Sequence, residues 1–423
     1  MDGVRGVTKE VFDSFKECIE ILDAYGYAKA EGTRILYEPA EGVVLGTRNG
    51  ADLVKLKEED IEELDLKRLP YSKKGKKVMI FSQTYYAQKC LADANPFAAA
   101  LDDMAQIVGP ALYVADGRAT SKKPGKSLKK TLKRTNSCLV LRAVDGKGMG
   151  IGYTITIGRT PAEAANAVCI TEKAAEAEYK AKRLGGSHPL GTKDAKKMKK
   201  DYENNYSQQV RKQSVLSPDT SEEELELRTQ LIKYAKRLAE KQLVVGTWGN
   251  LSARLGAETI LITPSGISYK ELEPADIVKV NIKTMKAEGA NRPSSELSMH
   301  VAIYKEREDV GAIIHAHAKN SSVFAAACKG IAVPSKETKA TEVFGSVIPI
   351  AAYAQPGTTE LASNVAKALG DRAGVIMAHH GMTVCGADLA ETFDRAVLLE
   401  DAARVAWYEY EDDDDDGDIE EDE

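Results

Sequence analysis

Two periodicities alternate along this chain and predict a mixed fold of helices and strands. Apolar residues recur at every third or fourth position in 11–24 and again in 222–241, which is typical of amphipathic helices. Short apolar runs bounded by turn residues, such as 42–46, 311–318 and 374–378, predict buried strands. This alternation indicates an α/β or α+β fold.

The pattern of the first half returns in the second half. Residues 45–66 align without a gap on residues 261–282, and residues 160–175 align on residues 388–403. Two tandem copies, each forming one domain, are therefore expected. The predicted boundaries are a first domain at 1–183, a linker at 184–221, a second domain at 222–410 and a tail at 411–423.

The charge of the chain is unevenly distributed. Its 423 residues carry a formal net charge of −6, but residues 411–423 hold eleven acidic and no basic side chains, so the remainder is net positive. Such an acidic run repels itself and is expected to be disordered. The basic segment 118–134 lacks interleaved aromatic residues, so no nucleic-acid partner is expected.

Neither a membrane segment nor a disulfide framework is indicated. No apolar stretch reaches the roughly eighteen residues of a transmembrane helix, and residues 1–6 lack the pattern of a signal peptide. The six cysteines are scattered with no Cys-x-x-Cys pair, which is typical of reduced core residues. We expect a cytoplasmic protein without a membrane partner.

The candidate chemistry begins with the histidines of the second half. His315 and His317 lie in the apolar run 311–318, and because strand side chains alternate, both imidazoles leave the same face about 7 Å apart. His379 and His380 follow a second apolar run. A third imidazole from that pair would complete a site of three nitrogens with an open position, as in catalytic zinc sites.

Three turns rich in backbone and hydroxyl donors precede these histidines, in the segments 246–254, 263–267 and 292–300. Each is commonplace alone, because such turns and paired serines also serve as plain turns and helix caps. Together they predict a site for a phosphate. Glu296 either complements a helix dipole or acts as a general acid and base beside a metal, and His300 is expected to be structural.

In this order the motifs resemble those of the class II aldolase and adducin family, and within it the L-fuculose-1-phosphate aldolases. The resemblance covers 222–410 and implies two tandem domains, each with a central, mainly antiparallel sheet flanked by helices. It implies zinc ligands at His315, His317 and the histidine before glycine, His380, and a proton carrier at Glu296. The implied phosphate-binding positions are Gly249, Asn250, Ser265, Gly266, Ser294 and Ser295.

The activity implied by the resemblance is cleavage or formation of a carbon–carbon bond in a ketose 1-phosphate such as L-fuculose 1-phosphate. It would proceed through an enediolate stabilised by zinc, with manganese or cobalt as alternative ions. A methylthioribulose-1-phosphate dehydratase, a pentulose-phosphate epimerase and a non-catalytic adducin-like scaffold stay open as alternatives. The epimerases resemble a Ser-Ser-Asp pattern, whereas Glu296 stands here after the two serines, which favours an aldolase.

One residue of the resembling enzymes has no counterpart in this sequence. The fuculose-phosphate enzymes carry a tyrosine in the loop after the His-x-His strand, and 335–342 contains none. Three alternatives therefore stay open for the acid that protonates the aldehyde: it is absent, it is replaced by Glu337 or Glu342, or another subunit supplies it.

The first copy lacks the motifs of the second. Residues 80–86 contain no histidine where His-Ala-His is expected, Tyr153 stands near the place of the last histidine, and His188 falls in the linker. We therefore expect a degenerate, catalytically silent first domain. The resemblance implies a homo-oligomer, in which this domain fills alternate positions of the ring.

Overall fold

The structure, a computed structural model, describes residues 7–30, 32–66, 68–69, 75–92, 96–116, 124–143, 149–204 and 211–415. The chain divides into two compact units. The first comprises Met1–Ala99, Asp103–Tyr179 and Leu190–Lys200. The second comprises Ala100–Asp102, Lys180–Pro189 and Asp201–Glu423.

The elements up to residue 204 form the larger part of the first unit. The helices are α1 (Lys9–Ala24), α2 (Tyr85–Ala92), α3 (Pro124–Leu132), α4 (Pro161–Ala181) and α5 (Thr192–Asn204), and a π-helical turn spans Met104–Val108. The strands are β1 (Arg34–Ala40), β2 (Val43–Thr47), β3 (Ile61–Glu63), β4 (Val78–Ser82), β5 (Phe97–Ala98), β6 (Ala111–Asp116), β7 (Ser137–Ala143) and β8 (Met149–Gly158).

The sheet of the first unit has the order β3-β2-β1-β4-β8-β7-β6-β5. Its pairs are antiparallel except for β6 with β7. Thr8 caps helix α1, because its hydroxyl accepts a hydrogen bond from the amide of Val11. The helix packs Phe15 and Leu22 against the sheet residue Ile35. Apolar residues therefore stand on the face of α1 that the 3.6-residue period predicts.

The elements after residue 204 belong to the second unit. The helices are α6 (Glu222–Glu240), α7 (Leu297–Glu306), α8 (Lys319–Ala326), α9 (Thr338–Phe344), α10 (Thr359–Leu369) and α11 (Leu389–Asp415). The strands are β9 (Gly249–Gly256), β10 (Thr259–Ile262), β11 (Val278–Asn281), β12 (Ala287–Glu288), β13 (Ala312–Ala316), β14 (Ile331–Ala332), β15 (Val347–Ile348), β16 (Ile350–Ala351), β17 (Gly374–Met377) and β18 (Gly381–Gly386).

The main sheet of the second unit has the order β12-β11-β10-β9-β13-β18-β17-β16, and β14 pairs with β15 beside it. Among the described strands of this unit, only β16 and β17 run parallel. A core of buried apolar residues fills one face, where Ile313 of β13 and Val375 of β17 pack against Tyr304 of α7 and Val365 of α10. The predicted fold class, with mainly antiparallel sheets flanked by helices, is confirmed.

Two segments differ in detail from the sequence-based picture. The predicted linker, 184–221, contains helix α5, which buries Ala195 and Met198, and the segment is divided between the two units. Part of the acidic tail continues α11 as far as Asp415, and the expected disorder of 416–423 lies outside the described residues. Among the described helices, none has the length and apolar character needed to cross a membrane.

Candidate active site

Two of the candidate ligands come from the central strand of the second sheet. β13 lies between β9 and β18, with His315 paired to Asn250 on one side and to Thr383 on the other. His317 follows the end of the strand on the same face, and both histidines are buried. Their Nε2 atoms lie 2.9 Å apart, so the side-chain alternation that the sequence predicts brings the two imidazoles together.

The third imidazole enters from the turn between β17 and β18. His379 has a φ of 62°, and this left-handed conformation reverses the chain so that His380 points to the other two histidines. The His380 Nε2 atom lies 3.1 Å from Nε2 of His315. His379 instead donates from Nδ1 to the carbonyl of Ala100 and places Nε2 3.3 Å from the Cys328 sulfur. The structure therefore brings His380, and not His379, to His315 and His317.

This cluster of three nitrogens fits a divalent metal ion. The ligand atoms of His315, His317 and His380 all lie within 4.8 Å of one another, and the three residues are buried. His315 donates from Nδ1 to the carbonyl of Met382 at 2.9 Å, so its Nε2 carries a lone pair. Nitrogens around a tetrahedral zinc stand about 3.3 Å apart, which is close to the spacing seen here.

Glu296 completes the cluster with a carboxylate. It stands at the N-cap of α7, is 5% exposed, and its Oε2 lies 3.1 Å from Nε2 of His315 and 3.3 Å from Nε2 of His380. Burial raises the pKa of Glu296, but the positive charge of His380 and its hydrogen bond to the carboxylate outweigh burial and bring the pKa below its usual range. Its other oxygen, Oε1, is buried without a hydrogen-bond partner among the described residues. Glu296 is thus an ionised carboxylate with one oxygen left to meet a ligand.

The charges around the imidazoles differ from one ring to the next. Burial brings the pKa of His315 well below its usual value, although the Glu296 carboxylate opposes this. Burial acts in the same direction on His380, but there the carboxylates of Asp102 and Glu296 prevail and raise the pKa. His380 is therefore the imidazole most strongly surrounded by negative charge.

Two of the predicted phosphate turns lie side by side. Pro264 and Pro293 form a β-bridge, the amide of Ser265 donates to the carbonyl of Arg292, and the amide of Ser294 donates to the carbonyl of Thr263. The hydroxyl oxygen of Ser265 is buried and has no partner in the described part of the chain. A buried hydroxyl in this state is costly unless a ligand bonds to it, which favours an anion at these turns.

Asn250 belongs to a hydrogen-bond chain that fixes the orientation of its amide. The hydroxyl of Tyr304 lies 2.9 Å from Oγ of Ser252, which lies 2.6 Å from Nδ1 of His300. Nε2 of His300 then lies 2.5 Å from the carbonyl oxygen Oδ1 of Asn250 and donates to it. His300 is thus held by hydrogen bonds inside the fold, and the NH₂ group of Asn250 remains as a donor to a ligand.

The other predicted phosphate positions, Gly249, Gly266, Ser294 and Ser295, differ in conformation, contacts and exposure. Gly266 adopts a φ of 74°, as the turn requires, and the carbonyl of Gly249 accepts a hydrogen bond from the hydroxyl of Tyr269. Ser294 uses its hydroxyl to accept from the amide of Glu296, and Ser295 is exposed. Ser294 therefore supports the start of α7 as well as the turn.

Sequence reasoning missed one residue of this site, Asp102. It belongs to the short segment Ala100–Asp102 of the second unit, is 1% exposed, and its Oδ2 lies 3.0 Å from Nδ1 of His380. The only sequence signal was a pair of aspartates in the stretch 97–108, whose other residues are apolar except for Gln106, since a buried carboxylate needs a partner. That signal does not say which partner it finds.

In the first unit, the equivalent strand positions carry other residues. Phe81 of β4 pairs with Arg34 of β1, as His315 pairs with Asn250 in the second unit. The rings of Phe81 and Tyr153 pack at 5.7 Å between centroids. Aromatic packing therefore stands in the first sheet where the second sheet has imidazoles.

Comparison with known proteins gives the family of the chain. The sequence profile described as "Class II Aldolase and Adducin N-terminal domain" matches residues 229–407. A 5-methylthioribulose-1-phosphate/5-deoxyribulose-1-phosphate aldolase of Rhodospirillum rubrum is 39% identical over 181 residues, which is 43% of this chain and 80% of that protein. The chain belongs to the class II aldolase and adducin family.

Other relatives also match less than half of the chain. An L-fuculose phosphate aldolase of Methanococcus maripaludis is 32% identical over 179 residues, which is 42% of this chain and 95% of that protein. A solved structure of an L-fuculose 1-phosphate aldolase is 36% identical, with a TM-score of 0.42, and covers 46% of this chain and 88% of its own. Glu296 and the three clustered histidines lie inside the family profile, whereas Asp102 lies outside it.

Proposed function

We propose that this chain is a metal-dependent class II aldolase that cleaves a ketose 1-phosphate into dihydroxyacetone phosphate and an aldehyde, and catalyses the reverse addition. One observation carries the proposal. Nε2 of His315 lies 2.9 Å from Nε2 of His317, 3.1 Å from Nε2 of His380 and 3.1 Å from a carboxylate oxygen of Glu296. An imidazole cluster beside an ionised carboxylate supplies both an electrophile site and a base.

The three imidazoles hold the metal ion, and we propose zinc, with manganese or cobalt as alternatives. Histidine nitrogens suit zinc, and three protein ligands leave a coordination position open. When bound, such an ion supplies Lewis acidity that polarises the carbonyl and hydroxyl oxygens of the substrate. Its ligands His315, His317 and His380 are buried, so water is largely excluded from the reacting groups.

The protein groups around the ion divide the remaining work. The Ser265 hydroxyl and the Asn250 amide donate to the phosphate, together with the turns that contain Gly249, Gly266, Ser294 and Ser295. This anchors the substrate with its carbon chain towards the histidines. In the addition direction Glu296 takes a proton from C3 of dihydroxyacetone phosphate, because its carboxylate is ionised and its Oε1 has no other partner in the described chain. In cleavage it returns a proton to the same carbon.

The names of the relatives favour two groups of substrate. One relative is named for L-fuculose phosphate, and others for 5-deoxyribulose 1-phosphate or 5-methylthioribulose 1-phosphate. All are ketose 1-phosphates that share the first three carbons and differ beyond the cleaved bond. We therefore propose 5-deoxyribulose 1-phosphate and its methylthio analogue as the second candidate substrates beside L-fuculose 1-phosphate.

An assay with purified protein distinguishes the candidates. Each ketose 1-phosphate is added to the metal-loaded chain, and dihydroxyacetone phosphate is measured with a coupled dehydrogenase. An aldolase releases it from its preferred substrate, a dehydratase releases water and forms none, and a scaffold does neither. Absence of dihydroxyacetone phosphate from all three substrates, with metal bound, contradicts the proposal.

Glu296→Gln tests the role of the carboxylate. The substitution keeps the shape of the side chain and its neighbours but removes the base. We expect metal content by mass spectrometry to be unchanged and turnover to fall at least ~10²-fold, as is typical of a lost general base. Turnover near that of the wild type would refute the role of Glu296.

We also propose a homo-oligomer in which the first unit fills alternate positions of the ring. The matching strand orders of the two sheets support this, because each unit then offers the same kind of surface. Light scattering of the purified chain tests the idea, and a monomer at all concentrations contradicts it.

A further inference from the structure

We propose that Asp102 is a positioning residue of the metal site, which holds the His380 imidazole by a carboxylate–histidine hydrogen bond. This inference rests on the proposed metal-dependent function. Asp102 lies outside residues 229–407, the region matched by the family profile, so the family resemblance does not assign it.

The main chain anchors the segment that carries Asp102. The backbone amide of Asp102 donates to the carbonyl of His379 at 2.8 Å, and Nδ1 of His379 donates to the carbonyl of Ala100 at 3.0 Å. These two hydrogen bonds tie residues 100–102 to the residue immediately before His380. The position of the Asp102 side chain is thus fixed against the same turn that presents His380.

The side-chain geometry is that of a hydrogen bond to the outer nitrogen of a ligand. Oδ2 of Asp102 lies 3.0 Å from Nδ1 of His380, and both residues are buried. A carboxylate only accepts, so Nδ1 of His380 donates to Asp102, and Nε2 is the nitrogen left to bind a metal ion once its own proton is lost. The hydrogen bond selects the tautomer and fixes the plane of the ring.

His315 receives the same support from a different group. Its Nδ1 donates to the backbone carbonyl of Met382, at 2.9 Å. Two ligands of the site thus have their outer nitrogens fixed, one by the main chain of β18 and one by Asp102. Outer partners of this kind orient a metal-bound histidine and raise its basicity, and their loss typically lowers metal affinity 10- to 100-fold.

The negative charge of Asp102 also serves the site. Three imidazoles bring no charge to a divalent ion, and Glu296 supplies one carboxylate beside them. Asp102 adds a second carboxylate that does not compete for the open coordination position, since it faces the far nitrogen of His380. The ion is thereby stabilised without closing the position that a substrate needs.

Metal affinity of the full-length chain tests the proposal. Apo protein is titrated with Zn²⁺ against a chromophoric chelator, for the wild type, Asp102→Ala and Asp102→Asn. We expect the dissociation constant to rise 10- to 100-fold in Asp102→Ala and less in Asp102→Asn, because an amide oxygen still accepts from Nδ1. Circular dichroism of each apo variant tests whether it is folded. If Asp102→Ala does not fold, Asp102→Asn decides the test, because it keeps the shape of the side chain.

Asp276→Asn provides a matched control. Asp276 is a buried carboxylate of the second unit that caps a short helix and binds Arg211, and it takes no part in the histidine cluster. The Asp276→Asn variant should be less stable than the wild type but keep the wild-type affinity for Zn²⁺. The visible spectrum of Co²⁺-loaded protein should change in Asp102→Ala and not in this control, since only the former reorients a ligand.

The outcomes distinguish the role of Asp102 from the proposed metal-dependent function. A folded Asp102→Ala chain with wild-type zinc affinity and an unchanged cobalt spectrum would overturn the role of Asp102 alone. A wild-type chain that binds neither ion would overturn the proposed function and this inference together.

Discussion

His300 illustrates how a buried side chain can serve the site without touching a ligand. It connects Ser252 to Asn250, and each of its ring nitrogens is used in a hydrogen bond within the fold. Burial lowers its pKa to about 4, so the ring is neutral at physiological pH. The neutral ring has one N–H, and that N–H orients the amide that we propose to bind phosphate.

This state of His300 gives a pH dependence with a definite sign. The unfolded chain binds a proton at this ring near pH 6.5, whereas the folded chain resists it down to about pH 4. The stability supplied by the neutral ring is therefore complete above about pH 6.5 and is lost as the pH falls towards 4, by about 3 kcal/mol in total. Histidine-selective NMR, with His300→Gln for assignment and free histidine as reference, should show no titration of His300 between pH 5 and 8. A midpoint near 6.5 contradicts the assignment.

The individual residues of the site differ in how far sequence could predict them. Strand alternation alone brings His315 and His317 to one face, and both are found there. The choice of His380 over His379 needed the resemblance, because the positive φ of His379 decides it and periodicity does not contain that angle. Asp102 was out of reach, since the hydrogen bond that anchors its segment joins residues 279 positions apart.

At the scale of elements, close pairing of β13 with β18 sets the distance between the ligands. Gly381 begins β18, and a Cβ there would overlap the carbonyl oxygen of Ala316 and stand 3.3 Å from Cα of His317. Only a residue without a side chain lets the turn that carries His380 approach the end of β13 so closely. The glycine after the histidine is thus part of the geometry of the cluster.

Gly381→Ala should therefore weaken metal binding as well as the fold. The added methyl group forces β13 and β18 apart, which separates His380 from His317 and costs about 1–3 kcal/mol of overpacking. We expect at least a ~10-fold loss of zinc affinity, measured by chelator competition, together with a lower urea midpoint. Gly256→Ala on β9 is the matched control, since nothing lies within 4 Å of its added Cβ. Wild-type affinity in Gly381→Ala would show that the approach of the strands does not matter.

Elements were predicted better where they bury a continuous apolar face. β13 and β17 appear where the apolar runs 311–318 and 374–378 predict strands, and α6 follows its 3.6-residue period from an N-cap at Ser221. The segment that contains α5 was expected to be partly helical at most, and the bounds of the helix were not predicted, because its lysine-rich sequence has few apolar positions and the helix depends on burying residues such as Met198. Tertiary packing, rather than local pattern, specifies that helix.

At the scale of the whole chain, the two units cap the helix after their central strand in the same way, with the carboxylate of a glutamate from another helix. In the first unit Glu172 of α4 accepts hydrogen bonds from the amides of Tyr86 and Ala87 in α2. In the second unit Glu400 of α11 accepts from the amides of Asn320 and Ser321 in α8. Burial raises the pKa of both glutamates, although these hydrogen bonds oppose it.

This shared cap lies in the same pair of segments that the sequence aligns, 160–175 with 388–403. The first unit has therefore kept a buried structural carboxylate, whereas Phe81 stands where the second unit has a histidine. Because the family profile reaches only residues 229–407, this structural correspondence extends the internal repeat beyond what the profile matches. Selection on packing is enough to keep such a cap, so its presence carries no activity for the first unit.

The histidine cluster of the second unit leads to a prediction about metal removal. Each unit has buried apolar clusters of its own, and the three candidate ligands lie in the second unit. An ion that binds only the folded second unit stabilises that unit, by about 4 kcal/mol when its concentration is 1,000 times the dissociation constant. Calorimetry with and without a chelator should show two transitions, of which one moves to lower temperature and one stays. In His315→Ala the chelator should move neither transition. If both transitions of the wild type shift together, the metal stabilises both units and not the second alone.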